Sequence, residues 1–333
     1  MGDRRHPADD AGAGVLSATP RGGAASMLDI LALGEAMVEF NQTADAGGRL
    51  YLQGFGGDTS NFAVSAARQG ARVAYLSALG DDVYGAMLRA MWRSEGIDDS
   101  GVLTDPDAFT AIYFVTHDCA GHHFHFFRTG SAASRLRFAQ LPAAAFARTR
   151  IFHLSGISLA LSTTARETCF AAMHAARAAG AMVSFDTNHR PRLWSTATAR
   201  DAVEQAITLA DICLPGFDDL AALTGLADPQ AMVAHCLALG ARIVALKHGA
   251  QGAWLAEGSR IVRIAPHACR PVDATGAGDA FGGAFVARVV AGDDLETAGR
   301  YAAATAALST EGLGAVEPIP RADRVRAALQ RPS

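Results

Sequence analysis

The sequence predicts an α/β fold: a central, mostly parallel β-sheet flanked by helices, with a small second β-sheet beside it. Three observations point there. From Ile151 onward, short apolar runs near 151–154, 182–186, 211–214 and 242–247 alternate with helical stretches near 163–179, 198–209 and 229–239. Strands that are continuously apolar and joined by helices belong to a parallel sheet covered on both faces. Residues 39–56 and 110–128 break that rhythm with loose alternation and scattered glycines, which suits a partly exposed sheet of their own. Two Ala-rich stretches, about 276–291 and 294–310, then supply the helices that close the core.

In chain order, Leu28 to Leu33 is a buried strand that ends at Gly34-Glu35. Asp58 to Gln69 is a helix with Phe62, Ala63, Ala66 and Ala67 on one face, and Gly70 stops it. Val73 to Ala78 is a strand, and Val83 to Ser94 a helix. Thr110–Thr116 and His123–Arg128 form a hairpin around Asp118-Cys119-Ala120-Gly121, and Trp254 and Ile261–Ile264 flank another. Without internal repeats or interior linkers, residues 27–320 read as one domain. An Ala/Gly/Asp/Arg-rich extension, 1–26, precedes it and is expected to be disordered, with Met27 as the natural beginning. A C-terminal helix or tail, 321–333, follows.

Half of the residues are hydrophobic, enough for a large core, and the net charge of −4 gives no electrostatic case for nucleic acid or an anionic membrane. The five cysteines are dispersed without a CxxC pair and read as reduced thiols. No run approaches the ~18 apolar residues of a membrane span, so a cytoplasmic protein is expected.

Open parallel sheets bind ligands beyond their strands' carboxyl ends. Gly34-Glu35, Asp186, Pro215-Gly216 and Lys247-His248-Gly249 fall at such ends and are expected to line one crevice. The stretch Asp273-Ala274-Thr275-Gly276-Ala277-Gly278-Asp279 leads into an Ala/Gly/Phe-rich helix. Small residues at 276–278 let backbone N–H groups approach an anion, where the helix dipole adds roughly half a positive charge. Asp279, in the first turn, can then accept a proton from a hydroxyl that attacks phosphorus. A Gly-rich turn whose aspartate merely favours a helix N-terminus is the plainer alternative.

Lys247 is the only lysine of the chain, and at a strand end it could hold a phosphate, with Gly249 and Gly252 opening the backbone to a nucleotide. An ordinary strand–turn–strand explains the same residues. No GxxxxGK[ST] and no GxGxxG after the first strand occurs, which excludes a Walker loop and argues against a dinucleotide fold. Asp186, Asn188 and Arg190, at alternate positions, point the same way from an extended backbone and suit a polyhydroxylated ligand. In Gly56-Gly57-Asp58-Thr59-Ser60-Asn61, helix capping accounts for Asp58 or Thr59, whereas the paired glycines and Asn61 suit sugar hydroxyls. Arg128 could reach a carboxylate or phosphate. His122, His123 and His125 lack a carboxylate or cysteine to complete a metal set. Asp218 and Asp219 either cap a helix or place an acid near a metal-bound phosphate.

With GGxxxN near the amino end and DxTGAGD near the carboxyl end, about 220 residues apart, the chain resembles the ribokinase-like (PfkB) carbohydrate kinases from Leu28 to Pro320. The resemblance implies a ribokinase-like sheet with a β-sheet lid, ATP as phosphoryl donor, Mg²⁺, and room for a monovalent cation. It implies Asp279 as catalytic base and the backbone of Gly276, Ala277 and Gly278 as anion hole. Gly56, Gly57 and Asn61 would lie in the sugar site. Lys247, Gly249 and Gly252, with Gly276 and Gly278, would lie by the nucleotide. The family's NxxE element, which affects Mg²⁺, corresponds to Gly216-Phe217-Asp218-Asp219, where Asp219 keeps a carboxylate and the amide is lost. The asparagine often found near the nucleotide on the last long helix is absent from 295–312.

Within the family, GGDTSN (56–61), RTGSAAS (128–134) and DTNHRPRLW (186–194) resemble the 2-keto-3-deoxygluconate kinases, which phosphorylate the 6-hydroxyl of a sugar acid. Arg128 from the lid and Arg190 from the sheet would meet the carboxylate. The tyrosines usual before the lid arginine are Phe126-Phe127 here, so either a substrate contact is missing or Tyr113 on the partner strand compensates. DxNxRxxLW is shared with fructokinases, so a fructokinase stays open, as does a non-catalytic sugar sensor on the same fold. Pairing of two subunits through the lids is a further expectation.

Overall fold

The computed structural model describes residues 27–43, 47–118 and 121–330, so the expected disorder of 1–26, residues 44–46, the Cys119-Ala120 part of the expected hairpin and the last three residues lie outside the described residues. The strands are β1 (Leu28–Leu33), β2 (Met37–Gln42), β3 (Tyr51–Gly56), β4 (Val73–Gly80), β5 (Val102–Asp105), β6 (Ile112–Asp118) and β7 (Gly121–Phe127). They continue as β8 (Thr149–Ser155), β9 (Met182–Asp186), β10 (Ile212–Leu214), β11 (Ile243–Lys247), β12 (Ala253–Glu257) and β13 (Arg260–Ile264). β1 shows why the main sheet is buried on both sides. Ile30 and Ala32 enter one hydrophobic layer, and Leu31 and Leu33 enter the other.

Nine strands form that sheet in the order β13-β12-β11-β10-β9-β8-β1-β4-β5. Pairing is parallel from β11 to β5 and antiparallel through β12 and β13. One face packs on Phe62, Trp92, Phe285 and Tyr301, the other on Phe146, Met173, Val203 and Val233. The expected rhythm of strands and helices is present. β5 and several short helices, such as Ala132–Arg135 and Gly156–Ala160, were not anticipated, because four or five residues are too few to show a period. No helix among the described residues is long and apolar enough to cross a membrane.

The second sheet has the order β3-β2-β6-β7 and covers the carboxyl end of the main sheet as a lid. Its inner face carries Met37, Tyr113, Phe124 and Phe126. Its outer face carries Phe40, Tyr51, Phe114 and Phe127, whose rings meet edge-on or stacked.

The site depends on how closely the helix Asp58–Arg68 approaches the helix Ala277–Ala291. Gly283 sits against the first helix so closely that a Cβ there would collide with the Phe62 carbonyl oxygen and stand 2.7 Å from Ser65 Cβ. Ser65 Oγ donates to the Ala280 carbonyl at 2.7 Å across the same seam. In an exposed helix, Gly→Ala stabilises by roughly 1 kcal/mol. At this seam the methyl must displace backbone, so Gly283→Ala is expected to destabilise by about 1–3 kcal/mol in chemical denaturation. A more stable variant would contradict the close packing.

Candidate active site

The seam delivers two helix starts to the carboxyl ends of β9, β10 and β11, around a cavity of about 610 Å³. Asp273 shapes the loop that enters the second helix: Oδ1 accepts from Thr275 N at 2.9 Å and Thr275 Oγ1 at 2.6 Å, and Oδ2 from Gly314 N at 2.9 Å. Burial pushes this carboxyl up, but these hydrogen bonds outweigh it and hold it below the usual range. The helix then begins from Gly276, left-handed at φ 75° and without a side-chain cap. The N–H groups of Gly278 and Asp279 have no acceptor among the described residues, and Gly276, Gly278 and Asp279 line the cavity. This is the geometry of an anion site at a helix N-terminus.

Asp279 sits on the cavity floor. Asn61 Nδ2 donates to its Oδ2 at 2.9 Å and Asn188 Nδ2 to its Oδ1 at 3.2 Å. Burial, with the nearby Asp58 and Asp186 carboxylates, pushes its pKa up from 3.8 to about 7. The other amide atom of Asn61, Oδ1, is a buried acceptor with no partner, in a residue that lines the cavity, and so can take a sugar hydroxyl.

Neither Asp58 nor Thr59 caps its helix, contrary to the capping alternative. The N-cap is Gly57 at φ 102°, where a side chain would also run into the Glu35 carbonyl. Asp58 instead lines the cavity, and Thr59 Oγ1 pairs with the Tyr75 hydroxyl at 2.7 Å. Burial pushes Asp58 up as well. The expected convergence of Asp186, Asn188 and Arg190 occurs, but not through an extended strand. Asn188 is left-handed at φ 28°, and all three line the same cavity.

Lys247, from the end of β11, forms an ion pair with Asp186. Burial alone would lower the lysine's pKa, but the Asp186 carboxylate outweighs it and holds the ammonium above its ordinary value. Lys247, Gly216 and Asp219 also line a second cavity of about 350 Å³, with Phe217, His248 and Gly249 around it. The two cavities therefore share a wall. Asp219 Oδ2 accepts from Thr187 Oγ1 at 3.0 Å rather than capping its helix, and a Cβ at Gly216 would come 2.8 Å from that oxygen. The carboxylate thus occupies the room that a larger residue at 216 would need.

Arg128 reaches the cavity from the lid, but Glu35 already faces it, with Nη2 2.6 Å from Glu35 Oε2. Ser131 Oγ donates to the other Glu35 oxygen at 2.5 Å. Burial raises the Glu35 pKa against the pull of Arg128. The expectation that Tyr113 offers its hydroxyl is corrected, since Tyr113 donates it to buried Glu39 and gives the cavity only its ring. Gly56 is not in the cavity wall either; it is small because Tyr113 packs on it. Gly252 lines neither cavity and packs under the Ile264 carbonyl, apart from the residues expected around the nucleotide.

Asp118, which spacing did not associate with the histidines, lies 2.9 Å from His123 Nε2, and His122 pairs with His117 at 2.8 Å. Among the described residues, no group of three or more His, Cys, Asp or Glu could hold a metal. Sequence reasoning placed Glu35 at the crevice, beside the strand ends, but did not assign Asp58 to the site. Asp58 lies in a stretch where a cap was a sufficient explanation, and only the fold brings it to the cavity.

A family model described as pfkB family carbohydrate kinase matches residues 27–322. A 2-dehydro-3-deoxygluconokinase of Thermoproteus tenax is 33% identical over 89% of this chain and 94% of its own. Fructokinase-1 of Oryza sativa subsp. japonica is also 33% identical, over 87% of this chain and 94% of its own. Among solved structures, a putative ribokinase II from E. coli in complex with ATP and Mg²⁺ superposes with a TM-score of 0.83. Its identity is 26%, and the match covers 91% of this chain and 99% of that one.

The raised pKa of Asp279 has a stability consequence of definite sign. Its folded value exceeds the unfolded one, so the stabilisation it offers is complete below about pH 4 and is lost as pH rises through about 7. Asp279→Asn is therefore expected to raise the unfolding midpoint at pH 8 and to change little at pH 4. Equal effects at both pH values would contradict the shift.

Proposed function

Because the chain belongs to the pfkB family of carbohydrate kinases, we propose that it transfers the γ-phosphate of ATP to the 6-hydroxyl of 2-keto-3-deoxy-D-gluconate. The observation that carries this reading is the shared wall of the two cavities. A sugar in the larger and a nucleotide in the smaller would meet between Asp279, Lys247 and the helix start at Gly276–Gly278. Gly57 and Asn61 would take sugar hydroxyls, and Asp279 would accept the proton of the attacking hydroxyl. The N–H groups of the helix start would stabilise charge on the moving phosphoryl group, while Gly249 would border the nucleotide. The lid would keep water out, since an open site would hydrolyse ATP.

Mg²⁺ prefers hard oxygen ligands, and Asp219, on the shared wall and in no ion pair among the described residues, fits that role. When bound, the ion would neutralise phosphate charge. The exposed rings of Tyr51 and Phe127 on the outer lid face support pairing of two copies there, which sedimentation would test.

The sugar-acid reading rests on Arg128, Arg190 and Arg192 lining one cavity. One observation favours a ketose such as fructose instead: Glu35 already compensates Arg128. A coupled assay with ketodeoxygluconate, fructose and ribose, with and without Mg²⁺, decides between them. The sugar acid is expected to be preferred by tenfold or more, as a charge-assisted contact of about 1.5–3 kcal/mol allows. Arg128→Ala should raise KM for the sugar acid far more than KM for ATP. Preference for fructose, or equal losses for both substrates, would overturn the sugar-acid reading. Asp279→Asn is expected to retain ATP binding and to lose at least ~10² in turnover, and near-normal turnover would remove the base.

A further inference from the structure

Asn188 is the one non-glycine residue with positive φ among the described residues. It follows β9, and its conformation is held from behind. Its backbone N donates to Asp186 Oδ1 at 3.1 Å, while Asp186 Oδ2 is clamped by Lys247. Its side chain is buried, and its Nδ2 faces two acids at once, Asp279 Oδ1 at 3.2 Å and Asp58 Oδ2 at 3.4 Å. An amide NH₂ has two N–H bonds, so one group can serve both carboxylates. With its donors spent in this way, Asn188 keeps only its Oδ1 acceptor for a sugar hydroxyl.

We propose that Asn188 is a positioning residue for the base, its single NH₂ spanning Asp279 and Asp58 and fixing how the two carboxylates share their site. Such a pair titrates jointly. An N–H donated to a carboxylate favours its charged form, and a second carboxylate beside it disfavours that form. Removing the amide should therefore make Asp279 harder to ionise, and removing the Asp58 charge should make it easier. The other groups that act on Asp279 are Asn61, which donates to its Oδ2, and Asp186 and Lys247 from the ends of β9 and β11. Asp219 acts on the same lysine, Tyr113 faces Asp279 from the lid, and Arg128 and Arg190 act on Asp58. None of these is changed in the two variants below.

This inference rests on Asp279 being the base, and the test separates the two claims. The measurement is kcat/KM for the sugar against pH at saturating Mg-ATP, where the acidic limb reports the free site's essential base. Asn188→Leu keeps the volume and removes the donors. It is expected to move the limb up by about one pH unit, which lowers activity at pH 7 about fivefold and restores it by pH 9, with sugar KM there within about threefold of the parent. Asp58→Asn is expected to move the limb down by about one unit. Opposite shifts from two neighbours are not produced by a general loss of packing. An unmoved limb with a raised sugar KM in Asn188→Leu would make Asn188 a plain sugar ligand and overturn the proposal. An unmoved or raised limb in Asp58→Asn would overturn it too, and that variant decides the matter if Asn188→Leu does not fold. Near-parental turnover of Asp279→Asn would instead remove the base reading itself.

Discussion

Everything at the site follows from the close contact of the helices Asp58–Arg68 and Ala277–Ala291. The absence of a side chain at Gly283 allows the Phe62 carbonyl to come in, and the Ser65–Ala280 hydrogen bond fixes the register. With that register set, Asn61 meets Asp279 across 218 residues of chain at 2.9 Å. A wider spacing would part the amide from the acid it steadies. Packing energy in the core thus appears as geometry at the cavity floor.

The charges are arranged by the same logic. Carboxylates crowd the floor at Asp58, Asp186 and Asp279; burial raises the protonation tendency of each, and neighbouring carboxylates add to it at Asp186 and Asp279. The single lysine is tied to Asp186, and the lid arginine is tied to Glu35. A negatively charged floor repels stray anions and leaves the glycine-rich helix start as the favourable place for a phosphoryl group. Breaking one partner of a buried pair exposes the other charge, so these ties carry more consequence than surface ion pairs do.

Much of the fold was legible because its long elements are strongly periodic. Leu28–Leu33, Val83–Ser94 and the hairpin after Ile243–Lys247 lie where apolar pattern and turn residues place them. Short elements such as Val102–Asp105 carry no period to read. At the site, Asp279, Asn61 and Lys247 were legible because glycines or unusual composition marked their surroundings. Asp58 was not, since capping was explanation enough within its own stretch. The Tyr113 hydroxyl, Gly56 and Gly252 lie elsewhere than expected for a related reason. A sequence shows that a hydroxyl or a bare backbone is present, but the Glu39 carboxylate that takes the hydroxyl and the neighbours that crowd the glycines arrive from elsewhere in the chain.

The central claim is that the two cavities hold the two substrates of one transfer, with Asp279 at the attacking hydroxyl. A crystal structure with ketodeoxygluconate and a non-hydrolysable ATP analogue tests it most directly. The expected result is a sugar hydroxyl within about 2.6–3.2 Å of an Asp279 carboxylate oxygen, with the terminal phosphate over the N–H groups of Gly278 and Asp279 and the nucleotide in the cavity beside Gly249. A sugar whose hydroxyls all lie beyond hydrogen-bond reach of Asp279, or a nucleotide seated outside the second cavity, would contradict it.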